Sequence, residues 1–134
     1  FESALHERIP QCEIVVLDPG SAVKNPPAFV THRTWQLEQD SSDGTSSLPN
    51  ETMPLQTTLQ RLGHAGEELA IFKVDVSGAE YALFEALVRH NFLPFRQIVL
   101  SVYVRERNAR LFAQLRKSGF VIAHKEVDYT SPFR

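Results

Sequence analysis

The stretch Ile71–Leu87, IFKVDVSGAEYALFEAL, constrains the chain more than any other. Ala70, Ile71, Phe72, Val74 and Val76 make a largely apolar run containing β-branched residues, broken by Lys73 and Asp75. Such a run reads as a largely buried strand of a parallel sheet covered on both faces. Ala79, Leu83, Ala86 and Leu87 then recur at helical spacing, with Phe84 widening the stripe. Ser77 followed by Glu80 fits a capping box and predicts a helix beginning just after Ser77. Gly78 lets the backbone turn closely between the two elements. Asp75 therefore stands at the carboxyl end of a strand, the edge where ligands bind in open α/β sheets.

The flanking chain repeats this alternation. Phe1, Leu5 and Ile9 are spaced by four, which predicts a helix over 1–9 ended by Pro10. Glu13–Leu17 (EIVVL) reads as a short strand closed by Asp18-Pro19-Gly20, and 19–28 as a loop rich in Pro and small residues. Phe29–Leu37 supplies a third strand with a mixed pattern that suits a position near the sheet edge. Glu38–Pro54 is dense in Ser, Asp, Gly, Pro and Thr and reads as a flexible loop or a lid. A short helix from Thr57/Thr58 to Leu62 is ended by Gly63. After the central unit, Pro94 breaks the helix and Gln97–Val104 (QIVLSVYV) forms another buried strand. Glu106–Ser118 reads as a helix with Leu111, Phe112 and Leu115 inward, and Gly119-Phe120 suits a Schellman ending. Val121–His124 is the last strand predicted. The order is that of an α/β domain: a mostly parallel sheet with helices on both faces, in a single domain over 1–134.

Composition narrows the function classes. The chain has 134 residues and a net charge of −2, without the basic excess of a nucleic-acid binder. Cys12 is the one cysteine, so neither an internal disulfide nor a cysteine-based zinc site is expected, and no His/Asp/Glu cluster has metal-ligand spacing. No segment has the length and apolarity of a membrane span. The cytoplasm is the expected compartment, with an upstream anchor or signal segment left open.

Four segments carry a family resemblance. KVDVSGAE, Lys73–Glu80, resembles the K-[IM]-D-[IV]-E-G-A-E signature of FkbM-like and related methyltransferase-like domains. CEIVVLDP, Cys12–Pro19, is similar to their C-x-[VI]-x-x-[FL]-D-P segment. TLQRLGH, Thr58–His64, is similar to, though one residue shorter than, the T-L-x-x-x-L-G-H that leads into the K-x-D strand, and His124–Glu126 (HKE) is also family-like. The resemblance runs from about Phe1 to Tyr129.

It implies a Rossmann-like methyltransferase sheet that uses S-adenosylmethionine as cofactor, with a methyl acceptor as second partner. On that plan the first strand with its glycine-rich turn and the last strand are missing, so self-association through unpaired strands is expected. Asp18 would hold the cofactor's ribose, since two carboxylate oxygens accept bonds from two hydroxyls. Asp75 would stand near the transferred methyl or the acceptor, as a cofactor contact and, for a hydroxyl acceptor, as the catalytic base. Bland roles stand beside these: Asp18 as a turn residue, Asp75 bonding turn amides, Glu80 as a cap, and His64 closing its helix or bonding locally. Relatives carry Glu at the position of Ser77, and an acid and a His at those of Ser101 and Tyr103. These departures open a second reading, a catalytically inactive domain acting as a protein-interaction module.

Overall fold

A computed structural model describes residues 1–20, 25–38, 51–76, 78–102 and 107–127. Ser77, Tyr103, Val104, Glu106 and most of the Glu38–Pro54 loop lie outside these described residues. The elements run α1 (Glu2–Arg8), β1 (Ile14–Leu17), β2 (Val30–Arg33), β3 (Gln36–Leu37), β4 (Thr52–Met53), α2 (Leu55–Leu62), β5 (Leu69–Val74), α3 (Glu80–Arg89), β6 (Phe95–Leu100) and α4 (Arg107–Lys117). The chain is α/β, as its pattern predicts, and all strand pairs are parallel. Among the described residues the strands form three separate pairs, β1–β2, β3–β4 and β5–β6, rather than one continuous sheet.

Several boundaries differ from expectation for local reasons. The segment Phe29–Leu37 divides into β2 and β3 at Thr34-Trp35, and β3 pairs with β4 at the far end of the Ser-rich loop. Helix α2 starts at Leu55 rather than Thr57. Pro54 takes the cap position with φ −58°, and the buried Leu55 anchors the first turn. Its end is as predicted: Gly63 sits in the left-handed region (φ 86°) and the His64 amide bonds back to Leu59 O at 2.8 Å. Helix α3 begins at Glu80, later than the Ser77–Glu80 pattern suggests, because Gly78 has φ 108° and cannot belong to a right-handed helix. It ends at Arg89, with Asn91 left-handed (φ 48°), so the break precedes Pro94. Helix α4 closes as expected, with the Phe120 amide on Leu115 O at 3.0 Å after Gly119 at φ 96°.

Two expectations are overturned. Strands β5 and β6 are not buried on both faces: of β5 only Val74 is buried, and β6 exposes Arg96, Gln97 and Val99. Among the described residues each pairs with the other alone. The Val121–His124 strand does not form. Val121 is 82% exposed and Ile122 59%, because a strand needs a neighbour to satisfy its amides and carbonyls and none stands beside it among the described residues.

The core lies between α2, β5, α3, β6 and α4. Leu55, Leu59, Val74, Leu83, Phe84, Leu87, Phe95, Leu111 and Leu115 pack as one buried cluster with Tyr81. Phe84 is its fully buried centre and meets Phe72 edge-on, with ring centroids 6.3 Å apart. Phe72 in turn stacks on Phe95 at 4.2 Å. The register of Phe72 with Ile98 and Val74 with Leu100 sets these side chains on a common face toward that core. The β1–β2 pair contributes less, with Ile14 buried and His6 of α1 stacked on Phe29 at 4.2 Å. Trp35 ties the β2–β3 corner to α2, lying within 6 Å of the guanidinium groups of both Arg33 and Arg61.

Candidate functional site

Asp18 is placed by the β1–β2 ladder. The pairing runs from Ile14–Val30 to Leu17–Arg33, and the Asp18 amide extends it by donating to Arg33 O at 3.0 Å. The side chain is half-buried, and Oδ1 accepts a hydrogen bond from the Gly20 amide at 2.9 Å. That is the turn geometry an Asp-Pro-Gly sequence favours.

Asp75 is placed the same way on the other strand pair. Val74 pairs with Leu100, and the Ser101 amide donates to Val74 O at 3.1 Å, which carries the ladder to the residue before Asp75. Ser101 therefore stands beside Asp75 at the strand ends. The Asp75 carboxylate is exposed and makes no hydrogen bond among the described residues. The turn-binding role open to it falls instead to Glu80, whose Oε2 accepts from the Gly78 amide at 2.6 Å. Glu80 thus closes the turn ahead of α3. It is fully buried, and its other oxygen has no partner among the described residues.

The opposite ends of β1 and β5 are joined by His64. Its Nδ1 lies 2.7 Å from Glu67 Oε2, and its Nε2 lies 3.2 Å from Glu13 Oε2. Glu13 immediately precedes β1, and Glu67 stands two residues before β5. The hydrogen bond to Glu67 is the main reason the imidazole is held above the usual histidine value; the bond to Glu13 and both carboxylate charges add, while partial burial works against them. The local bond to Glu67 is of the kind the sequence suggests for a residue just past a helix. The bond to Glu13 has no sequence signal, since the two residues lie on different supersecondary units.

With their starting ends held together at His64, β1 and β5 carry Asp18 and Asp75 at their far ends, the carboxyl edge of each parallel pair. A separate cleft of about 160 Å³ lies between α3 and α4, lined by Tyr81, Glu85, Arg110, Leu111 and Gln114. Its walls satisfy one another: Glu85 pairs with Arg110 at 3.6 Å and the Tyr81 hydroxyl donates to Asn108 Oδ1 beside it. Among the described residues no group of His, Cys, Asp or Glu is arranged to hold a metal ion. No helix among them is long and apolar enough to cross a membrane.

A family model described as a methyltransferase domain matches residues 1–132. No curated protein and no solved structure matches the chain.

Proposed function

The chain belongs to this methyltransferase domain family, and from that membership we propose that it moves a methyl group from S-adenosylmethionine to a hydroxyl or another small nucleophile at the edge carrying Asp18 and Asp75. The observation that supports the placement is the division of labour at the β5–α3 turn. Glu80 satisfies the turn amide, which leaves the Asp75 carboxylate exposed and uncommitted at a strand end. A charged side chain held at such a place by a hydrogen-bonded ladder, with no hydrogen bond of its own among the described residues, is suited to meet a ligand.

The donor set suits this cofactor. Its ribose offers two hydroxyl donors, and a carboxylate such as that of Asp18 has two oxygens able to accept them. Gly20 adds no side chain at that turn; a Cβ there would stand 3.5 Å from Asp18 Oδ1. The cofactor carries positive charge on its sulfonium and amino groups, and carboxylates at the edge favour cations. When bound it supplies an electrophilic methyl group.

The protein's own contribution is positioning. Asp18 fixes the ribose end, and Asp75 orients the acceptor hydroxyl and takes its proton as the oxygen becomes nucleophilic. The FkbM-like subfamily, suggested by the KVDVSGAE stretch, is the source of the hydroxyl assignment.

Calorimetric titration of S-adenosylhomocysteine into the chain, alongside Asp18→Ala, tests the reading. We expect micromolar binding by the natural chain and a loss of at least about tenfold in the variant, since it removes a hydrogen bond with a charged acceptor worth about 1.5–3 kcal/mol. Equal binding by both proteins would remove Asp18 from the site. No heat and no saturation with the natural chain would contradict the cofactor assignment itself.

A further inference from the structure

We propose that His64 is a positioning residue of the methyltransferase site: by bridging Glu13 and Glu67 it fixes the strand that ends in Asp18 against the strand that ends in Asp75. The proposal rests on the reading of those two aspartates as the cofactor edge.

The geometry points this way in three steps. First, β1 and β5 share no ladder among the described residues, because β1 pairs with β2 and β5 with β6. Their relative height is therefore not set by backbone hydrogen bonds, which fix register so firmly within each pair. Second, His64 reaches both starting ends at once, with one ring nitrogen on each carboxylate at 2.7 and 3.2 Å. An imidazole donates from both nitrogens only when protonated, so the full bridge is an imidazolium between two carboxylates. Third, the strands are short and carry their functional carboxylates on the residue immediately after the last ladder position, Asp18 after Leu17 and Asp75 after Val74. A shift at the starting ends is transmitted along them to the carboxyl edge.

A second contact links the same two units, the Lys73 ammonium 5.6 Å from the Phe1 ring centroid. It joins two exposed groups, where solvent weakens a cation–π contact. The doubly bonded imidazolium is the stronger tie.

The bridge is also pH-dependent, and its sign is fixed. The groups that face the ring are Glu13, leading into β1, and Glu67, leading into β5. Because folding raises the His64 value, the bridge contributes fully below the unfolded histidine value of about 6.5. It is lost as pH rises through the higher value of the folded state. Loss of the ring proton removes one donor, leaving one carboxylate facing a lone pair.

Heteronuclear NMR on the full chain tests the coupling without any ligand. The amide resonances of Asp18 and Asp75 are expected to titrate together with the His64 ring between pH 6 and 9. In His64→Arg, which keeps a positive charge and a two-pronged donor throughout that range, the two amides should show no such titration. Glu13→Gln is the second variant, in which the His64 midpoint falls and the Asp18 response shrinks. Amides that ignore the His64 titration in the natural chain would overturn the proposal, whatever the cofactor does.

S-adenosylhomocysteine affinity adds the functional side. It should fall roughly tenfold from pH 6 to pH 9 in the natural chain and stay level in His64→Arg, a modest part of the about 10²-fold that a misplacement of 1 Å can cost. If the natural chain binds no S-adenosylhomocysteine while Asp18 and Asp75 still follow His64, the cofactor reading fails and the bridge stands. If it binds and its affinity shows the same pH course in His64→Arg, the bridge does not position the site.

Discussion

Asp75→Asn is expected to slow methyl transfer about 10²–10⁴-fold, the range contributed by a positioned acid–base group. The change removes the charge and the proton acceptor but keeps the shape. The variant should also fold normally, because the exposed Asp75 carboxylate holds no hydrogen bond among the described residues. Surface substitutions of that kind usually fall within about 0.5 kcal/mol. Transfer of a labelled methyl group from S-adenosylmethionine to hydroxyl-bearing acceptors reads the rate, and denaturant unfolding reads the stability. The informative outcome is the combination: rate lost and stability kept. A rate within a few-fold of the natural chain would take the proton-accepting role away from Asp75. A large drop in stability would mean that the carboxylate serves the turn after all.

Phe84→Ala is expected to cost about 3–5 kcal/mol of stability, as large-to-small changes at fully buried aromatic positions do. Phe84 is 0% exposed and stands where α3 meets the β5–β6 pair, edge-on to Phe72. The cavity left cannot be filled by a simple shift, since Leu83 and Leu87 flank it on the same helix and all belong to one cluster. Against a typical total of about 5–15 kcal/mol, that loss removes roughly a fifth of the stability or more. Val99→Ala is the control: Val99 on β6 is 40% exposed and should cost well under half as much. Urea unfolding of the three proteins makes the comparison. Equal losses at Phe84 and Val99 would mean that the cluster is not the core.

The elements that the sequence yields most completely are those whose signals are local. Periodicity locates α3 and α4, Gly63 marks the end of α2, and Gly119-Phe120 marks the end of α4, because each of these depends on residues within one or two turns. The start of α3 was less readable. Ser77 and Glu80 suggest a capping box, but the left-handed Gly78 between them delays the helix, and Glu80 bonds to Gly78 instead. Burial of β5 and β6, and strand formation at Val121–His124, depend on neighbours that the local sequence does not report. An apolar run shows that a segment is able to be a buried strand, not that a partner lies beside it.

The candidate site divides in the same way. Asp18 and Asp75 are visible in the sequence because each follows an apolar strand at a turn, and the family-like segments around them mark the same two positions. The ladder bonds that fix them, Asp18 to Arg33 and Ser101 to Val74, are read only from the register. The bridge from His64 to Glu13 spans two supersecondary units and has no pattern in one sequence that would predict it.

Hydrogen exchange of the full chain with and without saturating S-adenosylhomocysteine locates the bound ligand on the fold. Slowed exchange is expected at the amides of Asp18 and Gly20 and at those of Val76, Gly78 and Ala79, with little change along α4. Protection confined to Tyr81, Leu111 and Gln114 in the α3–α4 cleft, with both turns unaffected, would contradict the placement of the cofactor at Asp18 and Asp75.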